Sequence, residues 1–404
     1  MENEKPLLEF SLSLDFLRNN KNVILRLDSS FEQIKNWLTN SGILVSNSSD
    51  SNYGGVHSFY DEKKKEFAFL YPEITGYYIS SMRFLYEHDK NEKFIQLAKA
   101  SSEWIIKLYE KYGGIIQGIS PQGIPQKSVY SFDTGICAKG LLDCFAITNE
   151  EKFLEYAKKL NQWILDETIE TNGLVRPLKN LETNQFVEDS DVWYKRSGCL
   201  HIKLVIPLLQ LYKINNDNDL LVASKKILNT ITDYQNIDGS ILLHKDGKVI
   251  NLHTLSYALE GLIFAYSITK DKNYLLCCKK AINWCDQQLQ DDGSIDLWFN
   301  SKYHSKSSYP IAQLIRLKIL VGKIDGTNLD ETVEKLKIFL LSLQARNNDQ
   351  KIHGGFYDEF FKSILGWKKR LKVNSWASMF ALQAVYWSEN YSSIDFDKEI
   401  ELLY

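Results

Sequence analysis

Apolar positions along this chain fall into two alternating kinds of helical stretch. One kind is apolar nearly all round and rich in small residues, as in Thr-Gly-Ile-Cys-Ala-Lys-Gly-Leu-Leu at positions 134–142. A helix without a polar face reads as buried. The other kind carries one apolar stripe and one charged face, as in Phe-Leu-Glu-Tyr-Ala-Lys-Lys-Leu-Asn-Gln-Trp at positions 153–163, and reads as an outer helix. The two kinds recur in pairs on a fixed ruler. Thr75, Thr134, His201 and Leu255 stand 19 residues before Phe94, Phe153, Leu220 and Tyr274, and 10 more residues lead to Trp104, Trp163, Thr230 and Trp284. Polar turns such as Asn215-Asn-Asp-Asn lie within each pair, where Asp and Asn side chains can cap the second helix. Gly113, Gly173, Gly239 and Gly293 follow the Trp positions and fit helix ends or tight turns.

Two less exact pairs extend the series. The fifth starts near Tyr309 and continues through Val333 to Phe339; the sixth starts at Asn374 and lacks a full outer helix. Residues 29–42, with Trp37 and a following Gly42, have outer-helix character and are expected to close the ring beside the sixth unit. The predicted fold is all-α, an (α/α)6 toroid of helical hairpins, with short β-hairpins in the connections at one end. One toroid domain is expected over residues 1–404, with 1–28 as an N-terminal extension. An open superhelix of stacked pairs is the alternative. The connections contain alternating stretches, such as residues 240–250 around Asp246-Gly247, that read as small hairpins.

Composition narrows the function classes. Charged residues make up 25% of the chain and the formal net charge is −3, which gives no reason to expect nucleic acid or an anionic membrane as partner. No apolar run is long enough for a membrane span. The sequence Met1 to Lys5 lacks the layout of a signal peptide, so a cytoplasmic location is expected. The six cysteines all fall in helical stretches without C-x-x-C spacing and read as small buried hydrophobes. No metal site and no cofactor motif is expected. Aromatic residues reach 13%, more than a core needs, which suits a cleft that stacks on flat apolar faces such as sugar rings.

Candidate chemistry gathers at the end of the ring with the long connections. Glu73 and Asp133 precede the first and second inner helices, and His201 falls one turn into the third. His253, Tyr257 and Glu260 share one face of the fourth, His253 and Glu260 being seven residues apart. Asp189, Asp191, Trp193, Arg196, Trp298 and His304 lie on connections, while Tyr309 and Trp376 begin the fifth and sixth inner helices. The catalytic candidates are therefore Glu73, Asp133, His201, His253, Tyr257 and Glu260. The substrate-binding candidates are Asp191, Trp193, Arg196, Trp298, His304, Tyr309 and Trp376. Plainer roles exist for some of them: Asp133 and Ser375 as helix caps, Glu260 as a buried ion-pair partner. Glycoside hydrolysis needs two carboxyl groups, one protonated and one ionised. Lyase or epimerase chemistry needs a base and an acid beside a carbon acid, a task for His253 with Tyr257.

The runs Tyr71-Pro-Glu-Ile-Thr-Gly-Tyr, Phe132-Asp-Thr-Gly and His253-Thr-Leu-Ser-Tyr-Ala-Leu-Glu-Gly-Leu resemble a group of bacterial and archaeal toroid proteins associated with surface-polysaccharide biosynthesis, themselves similar to six-hairpin glycosidases. The resemblance spans roughly residues 30–390 and implies a carbohydrate-active toroid, without naming a reaction. Gln290-Asp-Asp-Gly-Ser is also similar to a repeat of terpene cyclases, but their acid motifs are missing. The leading expectation is a glycoside hydrolase or polysaccharide lyase-like enzyme acting on an oligosaccharide or polysaccharide precursor. A sugar epimerase or isomerase, a glycan-binding scaffold and an isoprenoid-binding toroid are the alternatives.

Overall fold

The computed structural model describes residues 30–187 and 192–404. The expected extension over residues 1–28, and the candidates Asp189 and Asp191, lie outside the described residues. Helix α1 spans Ser30–Asn40. Five hairpins follow: α2 (Pro72–Asp89) with α3 (Glu92–Tyr112), α4 (Ser131–Thr148) with α5 (Glu151–Trp163), α6 (Val205–Asn215) with α7 (Asn218–Asn229), α8 (Leu252–Thr269) with α9 (Lys272–Gln287), and α10 (Ser308–Asp325) with α11 (Glu331–Ser342). Helix α12 (Ser375–Glu389) is the sixth inner helix, followed only by short helical turns between Tyr391 and Leu402.

The even-numbered helices form the inner ring. Each packs on the next, and α12 packs back on α2, so the ring is closed. Each inner helix except α12 packs on the odd-numbered helix that follows it, and α12 packs on α1, nearly 350 residues away in sequence. Helix α1 thus stands where the sixth hairpin lacks an outer helix. The Trp37 indole N–H donates to the Lys351 carbonyl at 3.0 Å, tying α1 to the connection after α11.

The ruler has a local cause at most marks, although the N-cap of α5, Glu150, makes no side-chain capping bond. Inner helices α2, α4, α6 and α8 end in a left-handed residue: Lys90, Asn149, Asn216 and Lys270. Asn91, Asp217, Asp271 and Asp330 then cap the next helix by accepting from the backbone N–H two residues on. The third unit departs from the pattern: its inner helix begins as a 3-10 segment, Cys199–Leu204. Pro207 has no N–H to offer the Lys203 carbonyl, so the first turn tightens.

Glycines register the outer helices. A Cβ at Gly173, Gly239 or Gly293 would collide with the carbonyl of Lys226, Lys280 or Lys335 on the next outer helix. At Gly354 it would collide with Gln33 of α1, and at Gly54 with Ala100 of α3. Gly54, and not Gly42, carries that contact after α1.

The long connections all lie at one end and form four small antiparallel sheets. Strands β1 (Phe59–Asp61) and β2 (Glu66–Phe67) join β10 (Phe356–Tyr357) and β13 (Lys372–Asn374) in the order β10-β13-β1-β2. Strands β3 (Ile116–Ile119), β4 (Pro125–Tyr130), β5 (Leu178–Asn180) and β6 (Gln185–Phe186) pair in sequence order. Strand β7 (Ile250–Asn251) pairs with β8 (Trp298–Phe299), and β9 (Ser305–Ser307) joins β11 (Glu359–Ser363) and β12 (Gly366–Lys369) in the order β12-β11-β9. Residues 240–250 do not form the expected hairpin ladder. Gly247 closes a turn onto the His244 carbonyl, and β7 pairs outward with the next connection instead. No described helix is long and apolar enough to cross a membrane. The six cysteines are free thiols, and all but Cys277 are buried.

Candidate active site

Tyr71 and Pro72 set the first corner of the site. Proline suits the first turn of a helix, where its missing N–H costs nothing, and it starts α2 so that Glu73 lies in that turn. Asp133 takes the same place in α4. It is not the helix cap, since Tyr130 holds that position. Glu73 is 9% exposed and Asp133 4% exposed, at the end of the ring where the connections gather. The Tyr71 hydroxyl interacts with both carboxyls, while Asp133 Oδ2 is buried without a hydrogen-bond partner.

Burial dominates the charge state of this pair. It pushes Glu73 up to about 7 against the opposing pull of the Tyr71 hydroxyl and the Lys203 ammonium. Asp133 is pushed well above the usual carboxylate range by burial and by the neighbouring Glu73 charge. Two buried carboxyls that repel one another retain a proton between them at neutral pH.

An aromatic wall adjoins the pair. Tyr257 lies 4.8 Å from Phe132 and 4.2 Å from His253 between ring centroids, and its phenol feels the Glu73 charge. His253 packs on Tyr309 at 4.6 Å, and Tyr309 on Trp376 at 5.9 Å. Tyr309 and Trp376 are half-buried at the starts of α10 and α12, at the end of the ring where the connections gather. His253 Nδ1 meets Gln313 Oε1 at 2.5 Å, and burial drops its pKa to about 3, leaving a neutral imidazole.

Below the pair the ring axis is filled. Glu260 is fully buried: its Oε2 accepts from Lys203 at 2.6 Å, and its Oε1 from Arg316 and from Gln313. Arg316 also donates to Gln383 at 2.9 Å and to the Tyr404 carbonyl at 2.8 Å. The Lys203 ammonium sits over the Tyr257 ring at 4.3 Å and the Tyr77 ring at 4.8 Å. Burial lowers Lys203 to about 8 against the attraction of Glu260. This polar floor sets two cations against one carboxylate, and Arg316 Nε is buried without a hydrogen-bond partner among the described residues. Glu260, expected to be catalytic, is placed in that floor, and Gln313 bridges it to His253.

The remaining candidates scatter. His201 is buried with Nδ1 on Gly198, is held down to about 4 by burial, and feels His244, not the carboxyl pair. Arg196 turns sideways and makes a two-pronged pair with Asp246 at 2.9 and 3.0 Å, lining a lateral cleft with Arg176 and Tyr234. Trp193 and Trp298 contact each other at 6.2 Å in a second aromatic group on the connections, and His304 is exposed beside it. Ser375 is not a cap either; its hydroxyl donates to the His57 carbonyl while Asn374 caps α12. Sequence reasoning missed two groups, Tyr71 and Lys203. A lysine inside an otherwise apolar inner helix was the available signal for Lys203. Asp358 is pushed up to about 7 by burial and the adjacent Glu359, and both acids feel Tyr309. Among the described residues no cluster of three or more His, Cys, Asp or Glu could hold a metal ion.

Comparison with known proteins places this architecture. A cellobiose 2-epimerase from Bacillus thermoamylovorans superposes with a TM-score of 0.71 at 13% identity, covering 91% of this chain and 100% of its own. A sugar epimerase from a ruminal bacterium gives 0.70 at 14%, covering 92% and 100%. An unsaturated glucuronyl hydrolase specific for heparin gives 0.66 at 12%, covering 92% and 98%. The fold is the six-hairpin toroid. No protein-family model matches the chain, and no curated protein matches its sequence.

Proposed function

We propose that this toroid is a carbohydrate-active enzyme, a glycoside hydrolase in which Glu73 and Asp133 share the acid and base roles. One carboxyl of the pair delivers a proton to the leaving oxygen, and the other, ionised, acts on water or on the sugar. The carrying observation is the buried pair under Tyr71, with an open valence at Asp133 Oδ2 and a stacking wall beside it. Tyr309 and Trp376 would stack on the sugar ring. The similarity to a glucuronyl hydrolase adds support. The substrate proposed from the sequence resemblance is an oligosaccharide or polysaccharide precursor of surface-polysaccharide metabolism, handled in the cytoplasm.

A second reading, sugar epimerase or isomerase, draws support from the epimerases among the structural neighbours and from a D-mannose isomerase that superposes at 0.68. It needs a competent base at a carbon acid, a task for the same carboxyl pair, since burial lowers His253 to about 3 and His201 to about 4 and makes them weak bases.

A panel of neutral and uronic-acid oligosaccharides incubated in deuterium oxide separates the two. Hydrolysis releases a new reducing end; epimerisation places solvent deuterium on carbon without cleavage. On the substrate found, Asp133→Asn and Glu73→Gln are each expected to lower kcat at least about 100-fold with the fold retained. Full activity in both variants would remove the pair from the mechanism.

A further inference from the structure

The hairpin of β11 and β12 stands out from the end of the ring and carries two aliphatic side chains at its tip. Ile364 is 105% exposed and Leu365 79% exposed. Among the described residues no other pair of adjacent large apolar side chains is so exposed. The turn that presents them is fixed. The Ser363 hydroxyl donates to the Gly366 carbonyl at 2.8 Å and accepts from the Leu365 N–H at 3.2 Å, and Gly366 takes a positive φ of 95°. The tip is therefore held outward by its own backbone.

Two lysines flank it on the hairpin. Lys362 and Lys368 are exposed and have no ion-pair partner among the described residues. Lys362 lies directly across from Trp367, whose half-buried ring also receives the Lys306 ammonium from strand β9 at 5.4 Å; Lys306 is paired with Asp292 at 3.5 Å and adds no free charge. Lys369 lies over the Tyr357 ring at 4.7 Å. Arg370 is already occupied by Glu359 at 2.7 Å and does not count toward the free charge. Just ahead of β9, Tyr303 is 60% exposed under the Lys302 ammonium.

Apolar tip, aromatic collar and unpaired lysines on one rigid hairpin are the parts of an interfacial anchor. Aliphatic side chains enter hydrocarbon, aromatic rings sit at headgroup depth, and lysine ammonium groups stay in water beside anionic headgroups. We propose that this hairpin docks the protein on an anionic lipid bilayer. A hydrated glycan offers hydrogen bonds and flat ring faces but nothing that removes Ile364 and Leu365 from water. A second copy meeting this tip about a two-fold axis would set lysine against lysine. The overall charge of −3 concealed the patch, because acids elsewhere on the chain outweigh it. Strand β9 leads straight into Tyr309, and β13, next after β12, into Trp376. Docking would therefore turn the mouth of the ring toward the membrane, the side from which a lipid-borne glycan would arrive.

Co-sedimentation of the full chain with vesicles tests the proposal without reference to any activity. Binding is expected to vesicles of phosphatidylcholine containing phosphatidylglycerol at low salt, and to weaken with added salt. Phosphatidylcholine alone should bind far less. The double variant Ile364→Asp, Leu365→Asp should bind at least about tenfold more weakly, since it removes the apolar insertion. Lys362→Glu with Lys368→Glu should lose roughly tenfold or more and much of the salt dependence. All four positions are solvent-exposed, so thermal melts should match the parent. A wild-type chain that stays in the supernatant overturns the proposal, as do variants that bind like the parent. Binding to heparin but to no vesicle would reassign the surface to a glycan. A dimer that dissociates in the tip variant would reassign it to a copy contact.

Discussion

The Tyr71 hydroxyl and the Lys203 ammonium both draw Glu73 toward its charged form, yet burial outweighs both and lifts its carboxyl to about 7. An unfolded chain would ionise this group near 4.5. The raised folded value means that the contribution to stability is complete below about pH 4.5 and is lost as pH rises through 7. Glu73→Gln removes the buried charge, so it should gain on the parent by on the order of 2 kcal/mol at pH 8 relative to pH 5. Urea unfolding at the two pH values checks this; a difference between the proteins that ignores pH would show that Glu73 does not titrate in the folded ring. At this scale the sequence was partly legible. Asp133 and Glu73 could be found because each lies in the first turn of an inner helix at the mouth. Their coupling through Tyr71 could not, since it depends on two helices meeting. Arg196 looked like a rim residue, and Asp246, fifty residues on, turned it aside.

Inner helices α2 and α4 approach so closely that their backbones touch. A Cβ on Gly76 would lie 2.7 Å from the Ile136 carbonyl, and one on Gly140 would lie 2.8 Å from the Gly76 carbonyl. Packing a methyl into such a contact forces the helices apart, at a cost of about 1–3 kcal/mol. Gly76→Ala should therefore lower the unfolding free energy measured in urea by about that much. Gly247→Ala, whose added Cβ meets nothing closer than 3.4 Å, should change it little. Because both Glu73 and Asp133 sit at the starts of these two helices, Gly76→Ala should also lower turnover. Equal stability of the two glycine variants would mean that the inner ring is softer than its contacts imply. The paired helices themselves were legible, since an all-apolar stretch followed by a one-sided stripe has one stable placement, inside then outside. The 3-10 start of the third inner helix was not singled out, although Pro207 announced it.

Closure of the ring is the property of the whole molecule on which the site depends. Trp37 is fully buried between α1 and the rest of the ring and donates its N–H across more than 300 residues. Trp37→Ala removes that packing and leaves a cavity, at an expected cost of about 3–5 kcal/mol. The measurement is chemical unfolding followed by tryptophan fluorescence and circular dichroism together. A loss below about 1 kcal/mol would place α1 outside the cooperative unit.

The sequence by itself determined the hairpin unit, the number of inner helices and the end of the ring at which chemistry collects. Each of those follows from local rules: apolar periodicity, capping side chains and the 19- and 10-residue ruler. Tertiary structure alone decided which candidates meet. It brought Glu73, Asp133, Tyr71 and Tyr257 together from three inner helices, sent Glu260 into the floor with Lys203 and Arg316, and laid Lys306 on the Trp367 ring of the hairpin with the apolar tip. The physical reason is common to all three cases. Burial and electrostatic coupling depend on distance through space, and a ring joins residues whose separation along the chain carries no such information.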